Sequence, residues 1–180
     1  MKQTSTPRCR NRYRTVFATW AALGIHAHAE TPPVFEPQPD FYQVISGQAN
    51  RLNARSGGYT PLGDNNQSYN AAGYNPLDGY VYAWGRYAPY KDQLIRIHGD
   101  GTLEALGASA PNSNVSPETG YYAADMDNEG NLWARSNKLD GGSALIKINV
   151  ESNTYDIIRF SGAGASGVAD LVYMEIDGRP

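Results

Sequence analysis

The sequence predicts an all-β protein made of four-stranded antiparallel blade repeats, that is, a partial β-propeller. The first observation is that apolar residues alternate with polar ones, with Gly, Asn, Asp and Pro between the runs and no long stretch of helical period. The second is that the strand-turn-strand pattern of residues 72–83 returns about fifty residues later at 124–134. The third is that residues 94–98 return in step as 145–149. Repetition at this spacing is typical of propellers and other repeat arrays.

Two complete units follow from this repeat, and each contains four expected strands. Residues 76–79 and 99–101 are rich in Gly, Asp and Pro, which favour tight turns between strands. Four antiparallel strands in about forty to fifty residues is the size of one propeller blade. The expected strands are 70–75, 80–84, 93–98 and 102–107 in the first unit, and 121–127, 131–136, 143–149 and 154–160 in the second.

The two ends of the domain carry incomplete units. Residues 41–46, 49–53 and 58–62 resemble the last three strands of a blade, and 168–174 resembles a first strand with nothing after it. Closed propellers commonly share one blade between the chain ends, which removes an exposed sheet edge. The chain therefore holds about three blade equivalents, fewer than the roughly four to eight of a closed propeller. Three interpretations stay open: a truncated part of a longer repeat protein, which is the simplest, a ring completed by a second copy, and an open three-sheet monomer.

Residues 1–29 have the pattern of a secretory signal peptide. Five basic residues precede an apolar run at 16–25, and Ala-His-Ala at 27–29 forms an A-x-A cleavage site. The run has about ten residues, whereas a membrane-spanning helix needs roughly twenty, so a signal peptide is favoured over a membrane anchor. We therefore expect a secreted, periplasmic or cell-surface protein, with a Pro-rich linker at 30–40 and the incomplete propeller-like domain at 41–180.

Charge and composition exclude several classes of function. The signal peptide holds five of the 15 Lys and Arg and none of the 18 Asp and Glu, so the rest of the chain has a net charge of about −8. A nucleic acid or an anionic membrane needs a basic surface, so neither is expected as a partner. Cys9, His26 and His28 lie in the signal peptide, which leaves His98 as the single imidazole. A zinc site with several Cys or His ligands is therefore excluded, and no catalytic residue is predicted.

The connection at residues 85–92 is the predicted ligand-binding loop. It carries Arg86, Tyr87 and Tyr90, and it follows Trp84. Aromatic rings flanked by hydrogen-bond donors bind sugars or peptides, and functional residues are concentrated on loops. The alternative is that the tyrosines cover the edge of the blade, because Tyr is common in β-structure.

The acidic turn at residues 125–129 is the predicted metal site, with calcium as the ion. Asp125, Asp127 and Glu129 place oxygen ligands at alternate positions, as in the first half of a calcium loop. The bidentate Glu of an EF-hand is absent, because Ser136 stands at its position. The alternative is a hairpin turn whose carboxylates face solvent.

The order of these motifs resembles a known family. Leu-x-Arg-Ile at 94–97, a Gly-rich hairpin, Leu-Gly at 106–107 and Ala-x-Gly-Tyr-Asn-Pro-x-Asp-Gly-x-x-Tyr at 71–82 resemble uncharacterised propeller-like domains of secreted bacterial proteins. Those domains often occur in large adhesin-like surface proteins and have no established catalytic residues. The resemblance therefore implies a structural repeat without an assigned active site.

Two hypotheses of function follow. The first is a non-catalytic binding or structural module, whose partner is a protein or a glycan and which self-associates through blade edges. The second is a calcium-dependent propeller hydrolase, lactonase- or lyase-like, in which Asp125, Asp127 or Asp170 holds the metal. Asp125 and Asp170 occupy equivalent places in the repeat, so both carboxylates are expected to face one channel.

Overall fold

The computed structural model describes residues 31–35, 41–64, 69–108, 110–111, 121–135, 144–159 and 170–175. The predicted signal peptide at 1–29 lies outside the described residues. All regular elements in the described ranges are β-strands, which confirms the predicted all-β fold class. None of these ranges contains a helix that is long and apolar enough to cross a membrane.

The strands form three sheets, and each sheet corresponds to one unit of the sequence repeat. The first sheet contains β1 (Phe41–Ile45), β2 (Gln48–Leu52) and β3 (Tyr59–Pro61); the second contains β4 (Tyr69–Asn75), β5 (Tyr80–Gly85), β6 (Leu94–Ile97) and β7 (Leu103–Gly107); the third contains β9 (Ala123–Met126), β10 (Asn131–Arg135), β11 (Ala144–Asn149) and β12 (Thr154–Arg159), with the short β8 (Ala110–Pro111) at its edge.

The pairing within the sheets is the one that the repeat predicts. Consecutive strands of each unit are antiparallel, and among the described strands only the short β8 joins its neighbour, β12, in parallel. Each of these strands lies within two residues of its expected bounds, except β8, which the sequence analysis does not predict. The described strands form no closed barrel. The arrangement is therefore a set of partial, blade-like repeats.

Local hydrogen bonds determine the hairpin turns that join the first two strands of the complete units. Asn75 Oδ1 accepts a hydrogen bond at 3.1 Å from the N–H two residues ahead. At the equivalent place in the third sheet, Asp127 Oδ1 accepts the same kind of bond at 2.9 Å. Both turns then use a glycine with positive φ, at Gly79 (77°) and Gly130 (79°), which other residues adopt only with strain.

The second sheet is buried on both faces. Successive side chains of β5 alternate, so that Tyr82 and Trp84 point to the third sheet, whereas Val81 and Ala83 point to the first. Leu94 of β6 joins the core with the third sheet. The opposing side chains of the third sheet include Met126, Leu132, Ala134, Ile146, Ile148 and Tyr155, and those of the first include Tyr42, Val44 and Ala49.

The edge strands β4 and β9 approach each other closely at Gly73. A Cβ atom at Gly73 would lie 2.7 Å from the Met126 amide nitrogen and 2.9 Å from the Asp125 carbonyl carbon. Backbone atoms cannot rotate away from such a contact, so this position requires glycine. The absence of a side chain at Gly73 therefore sets the spacing between the second and third sheets.

Residues 31–35, expected to belong to a linker at 30–40, instead pack against the sheets. Phe35 N–H donates a hydrogen bond to the Gly79 carbonyl at 2.8 Å. The Phe35 side chain is 3% exposed, and its ring meets the Tyr42 ring edge-on at a centroid distance of 4.7 Å. The described part of this segment is therefore part of the domain, because its backbone and its aromatic side chain both have partners there.

The described part of the expected C-terminal strand at 168–174 does not form a strand. Residues 170–175 lie outside every sheet, and β1 has a strand neighbour on one side only among the described elements. Tyr173 N–H donates to Asp125 Oδ2 at 2.8 Å, which places this segment beside β9. The shared blade that the sequence predicts is thus not assembled by the described residues, because β1 and this segment do not pair.

Replacing Gly73 by Ala is expected to lower the free energy of unfolding by about 2 kcal/mol, because the new methyl group meets the backbone of β9. Gly58→Ala is the matched control, since a Cβ there would meet only the Ser56 side chain, at 3.3 Å. Urea denaturation of both variants measures the difference. Equal stability of the two variants would contradict the spacing constraint.

Candidate ligand-binding cleft

A cavity of about 600 Å³ opens where the edge strands β1, β4 and β9 come together. We call these three the inner strands and the cavity the inner-strand cleft. Its volume lies in the range of roughly 300–1,000 Å³ that is typical of small-ligand sites. The lining residues are Phe35, Tyr42, Gln43, Val44, Ala49, Asn70, Ala72, Gly73, Tyr74, Val81, Tyr122, Ala124 and Asp170.

A β-bulge in β4 directs side chains into this cleft. The pairing of β4 with β5 shifts between Asn70 and Gly73, so that Ala71 and Ala72 together face one residue of β5. Ala71 has a positive φ of 51° and is buried in the core with the third sheet. Asn70, Ala72 and Tyr74 line the cleft. The bulge therefore re-aims the strand beside a cavity, which is a common use of this irregularity.

Tyrosine rings and side-chain amides give the inner-strand cleft its chemical character. Tyr74 is 46% exposed, so its ring is accessible to a ligand. Gln43 and Asn70 supply amide donors and acceptors, and Asp170 is the one carboxylate in the described lining. Aromatic faces pack on apolar parts of a ligand, while amides exchange hydrogen bonds with its hydroxyl groups. The cleft thus suits an uncharged polar ligand that also has apolar faces.

A second cavity, of about 290 Å³, adjoins the cleft and contains part of the predicted ligand loop. The two cavities share Val44 and Asn70, and Arg86 and Tyr87 line the second one. The Arg86 guanidinium carbon lies 5.6 Å from the centroid of the Tyr87 ring, within the range of a cation–π contact. Tyr87 is 60% exposed. The structure therefore places these two predicted ligand residues beside the cleft.

The other two predicted ligand residues, Trp84 and Tyr90, pack inside the domain and do not line either cavity. Trp84 is 1% exposed, and its ring lies 5.2 Å from the Tyr121 ring in the core between the second and third sheets. Trp84 therefore does not belong to the cleft, because the alternation of β5 turns it into that core. Tyr90 is half-buried against the core of the first and second sheets, and its backbone leaves no space for a Cβ at Gly85. Tyr90 thus anchors the loop.

Several residues of the cleft are not predicted from the sequence, namely Tyr42, Gln43, Asn70 and Tyr74. One signal was available in β4, where two consecutive alanines between Asn70 and Gly73 interrupt the alternation of the strand and indicate a bulge. No comparable signal marks Tyr42 and Gln43. Whether a residue of an edge strand lines a cavity depends on where the neighbouring sheets lie.

Asp127, a predicted calcium ligand, is engaged inside its own hairpin. Its Oδ1 accepts the Asn131 backbone N–H at 2.8 Å, and its Oδ2 accepts the Trp133 Nε1–H at 2.8 Å. The residue is 4% exposed. Burial raises the pKa of Asp127, but the hydrogen bonds donated by Trp133, Asn131 and Glu129 outweigh this effect and hold the pKa below its ordinary value. The hairpin interpretation therefore accounts for this carboxylate.

The other two predicted calcium ligands also have protein partners. Asp125 accepts backbone N–H groups of Met126 at 2.9 Å and Tyr173 at 2.8 Å. Glu129 lies 3.8 Å from Lys147 Nζ, and 78% of its side chain is exposed. In the part of the chain that the structure describes, no group of three or more His, Cys, Asp and Glu residues is arranged to hold a metal ion. Calcium binding at this turn stays a prediction.

Asp127→Asn is expected to lower the free energy of unfolding by about 2 kcal/mol near pH 7, because an amide NH₂ would replace an acceptor of the Trp133 or Asn131 donors. The folded-state pKa of Asp127 is lowered, so its stabilising effect is present above the unfolded-state pKa and is lost as the pH falls through the folded-state value. The stability difference between the two proteins should therefore narrow below about pH 4.

Urea denaturation at about pH 7 and about pH 3 measures this difference. Asp64→Asn, a change at an exposed carboxylate, is the control and should have little effect at either pH. A stability loss in Asp127→Asn that does not depend on pH would contradict the role assigned to the carboxylate.

Comparison with known proteins assigns the repeat but not an activity. No curated protein matches the chain. A protein-family model described as a repeat of unknown function (DUF6923) matches residues 38–178. This range includes every strand of the three sheets and most of the residues of the inner-strand cleft. Because the match spans more than half of the sequence, the chain belongs to the DUF6923 family of repeats of unknown function.

Proposed function

We propose that the chain is an exported, non-catalytic binding module of the propeller type, that it belongs to an adhesin-like surface protein, and that it binds a neutral glycan. The observation that carries this proposal is the inner-strand cleft of about 600 Å³, lined by tyrosine rings and side-chain amides. Export is supported by the signal-peptide pattern at residues 1–29.

The chemistry of sugars matches the cleft. A sugar ring has a face of C–H groups that packs on an aromatic ring, and its hydroxyl groups exchange hydrogen bonds with amides and guanidinium groups. Tyr74 lines the cleft and Tyr87 lines the second cavity, both with exposed rings. Asn70 lines both cavities, and Arg86 supplies donors beside Tyr87. The proposed site therefore extends from the cleft to the loop.

Charge and cavity size favour this ligand class over the others. The net charge of about −8 outside the signal peptide disfavours nucleic acids, anionic membranes and acidic glycans as partners. A stable protein–protein interface buries about 800 Å² on each partner, so it needs a broad surface and not a cavity. The inner-strand cleft has the volume of a small-ligand site, so a short neutral oligosaccharide is the better fit.

Tyr87→Ala and Tyr74→Ala are each expected to weaken glycan binding roughly tenfold, because each removes an aromatic face worth about 1 kcal/mol or more. The probe is an array of immobilised neutral and acidic oligosaccharides and short peptides, followed by calorimetric titration of the neutral oligosaccharide that binds most tightly.

Phe41→Ala is the matched control for these variants. Its ring is 63% exposed, close to the 60% of Tyr87, but it lies on the face of β1 opposite to Tyr42 and does not line either cavity. It should leave the affinity unchanged. The absence of any neutral oligosaccharide that binds, or equal losses in Tyr87→Ala and Phe41→Ala, would overturn the proposal; capture of peptides alone would favour a protein ligand.

A further inference from the structure

The second and third sheets carry equivalent sets of three side chains. The set of the second sheet faces the third sheet, whereas the set of the third sheet faces no described sheet. In the second sheet, Tyr82 O–H donates to Asp78 Oδ2 at 2.6 Å, and the Arg96 guanidinium lies 5.6 Å from the Tyr82 ring centroid. In the third sheet, Trp133 Nε1–H donates to Asp127 at 2.8 Å, and Lys147 Nζ lies 5.2 Å from the Trp133 ring centroid. Both sheets thus carry an acid in the turn between their first two strands, an aromatic ring on the second strand and a cation on the third.

The two sets differ in what covers them. Tyr82 and Arg96 line a cavity of about 270 Å³ whose opposite wall is formed by residues 129–130 and 149–151, in the turns and strand end of the third sheet. Trp133 and Lys147 lie on the opposite face of the third sheet, since Leu132 and Ile146 beside them point to the second sheet. No described strand packs on that opposite face. We call it the tail face; it carries Trp133, Leu145, Lys147 and Ile158.

The first sheet, at the other end of the stack, has a face on which no described strand packs. Phe41 pairs with Leu52, and Leu52 pairs with Tyr59, so these three side chains share one face of the sheet. Phe41 is 63% exposed, Tyr59 47% and Ile45, on the same face, 37%. Tyr42 and Val44 point the other way, to the second sheet. We call the exposed side the head face.

By the equivalence of the repeat units, the head face and the tail face correspond to the two sides of one contact between neighbouring sheets. Ile95 and Ile97 of β6 contact the first sheet, and their equivalents Ile146 and Ile148 of β11 contact the second. The same position in β2 is taken by Leu52, which lies on the head face. Each sheet therefore uses these positions against the sheet before it. The head face carries the half that receives a preceding sheet, and the tail face carries the half that receives a following one.

The inner strands show the same relation. Asp125 lies opposite Trp133, so its side chain points to the tail side of β9, and there it accepts the Tyr173 N–H at 2.8 Å. Residues 171–175 thus lie where the inner strand of a following sheet would run, but they belong to no described sheet. Conversely, β1 is the edge of a three-stranded sheet that lacks an inner strand in the described structure. Residues 171–175 therefore occupy the position of an inner strand without belonging to a described sheet, and the first sheet lacks a described inner strand.

We infer that a second copy of this chain binds head to tail, with the head face of each copy on the tail face of the other and residues 171–175 of each copy added to β1 of the other. Two such contacts close a ring when the rotation between copies permits it, and the added strand removes the open edge of β1. Arg55, exposed in the turn after β2, stands at the place of Glu151 in the repeat and would bring a positive charge towards the exposed Glu129 of the second copy. This inference does not depend on glycan binding.

The mass of the purified full chain tests the inference, by sedimentation velocity over about 1–100 µM. We expect a dimer, and we expect Phe41→Glu to raise its dissociation constant by about tenfold or more, because the charge enters an apolar contact. Tyr87→Glu is the matched control, with 60% exposure against 63% for Phe41, and it should leave the dissociation constant unchanged. Circular dichroism confirms that both variants keep the β-fold.

Hydrogen–deuterium exchange locates the contact. In the dimer, the amides of β1 and of residues 171–175 should be protected together, and both should lose that protection in Phe41→Glu. A monomer over the whole concentration range would overturn the inference, and so would a dimer that Phe41→Glu does not weaken. Growth beyond two copies would overturn the closed ring.

Discussion

The contact between Gly73 and the backbone of β9 is the constraint on which the packing of the domain depends. Without a side chain at Gly73, β4 and β9 approach to a distance that no Cβ atom would allow. At this spacing, Tyr82 and Trp84 fill the core between the second and third sheets. The same strand carries the bulge that turns Asn70 and Tyr74 towards the cleft. One strand therefore sets the distance between two sheets and also shapes the candidate site.

The acidic turn of the third sheet shows how a structural device can imitate a metal site. Asp127 accepts the Trp133 indole N–H, as Asp78 accepts the Tyr82 hydroxyl in the second sheet. Both carboxylates accept a hydrogen bond from the aromatic side chain of the second strand, but they stand at different positions of the repeat. Asp127 aligns with Asn75 and not with Asp78. A comparison of the two units by sequence hides this equivalence, and the oxygen ligands at alternate positions then suggest calcium. The hydrogen bonds supply a sufficient reason for a buried carboxylate at this turn.

Repetition also explains why the faces available for association and the cleft for a ligand lie in different parts of the domain. The second sheet is covered on both faces, whereas the first and third sheets each leave one face without a described neighbour, with Phe41 and Ile158 exposed there. A stack of equal contacts always leaves two unequal ends. The inner-strand cleft, in contrast, needs all three sheets, because β1, β4 and β9 each contribute to its lining. Phe41 lines neither cavity and Tyr87 lies outside the head and tail faces, so substitutions at these two positions test association and ligand binding separately.

The sequence by itself determined the all-β repeat, the bounds of eleven of the twelve described strands to within two residues, and the position of Arg86 and Tyr87 on an exposed loop. These properties are local, since alternation and turn residues act over a few positions. Only the tertiary structure decided that Trp84 is buried, that residues 31–35 pack on the sheets, that Asn70 and Tyr74 line a cleft, and that residues 170–175 form no strand. The physical reason is that burial and pairing depend on neighbouring sheets, which residues distant along the chain supply.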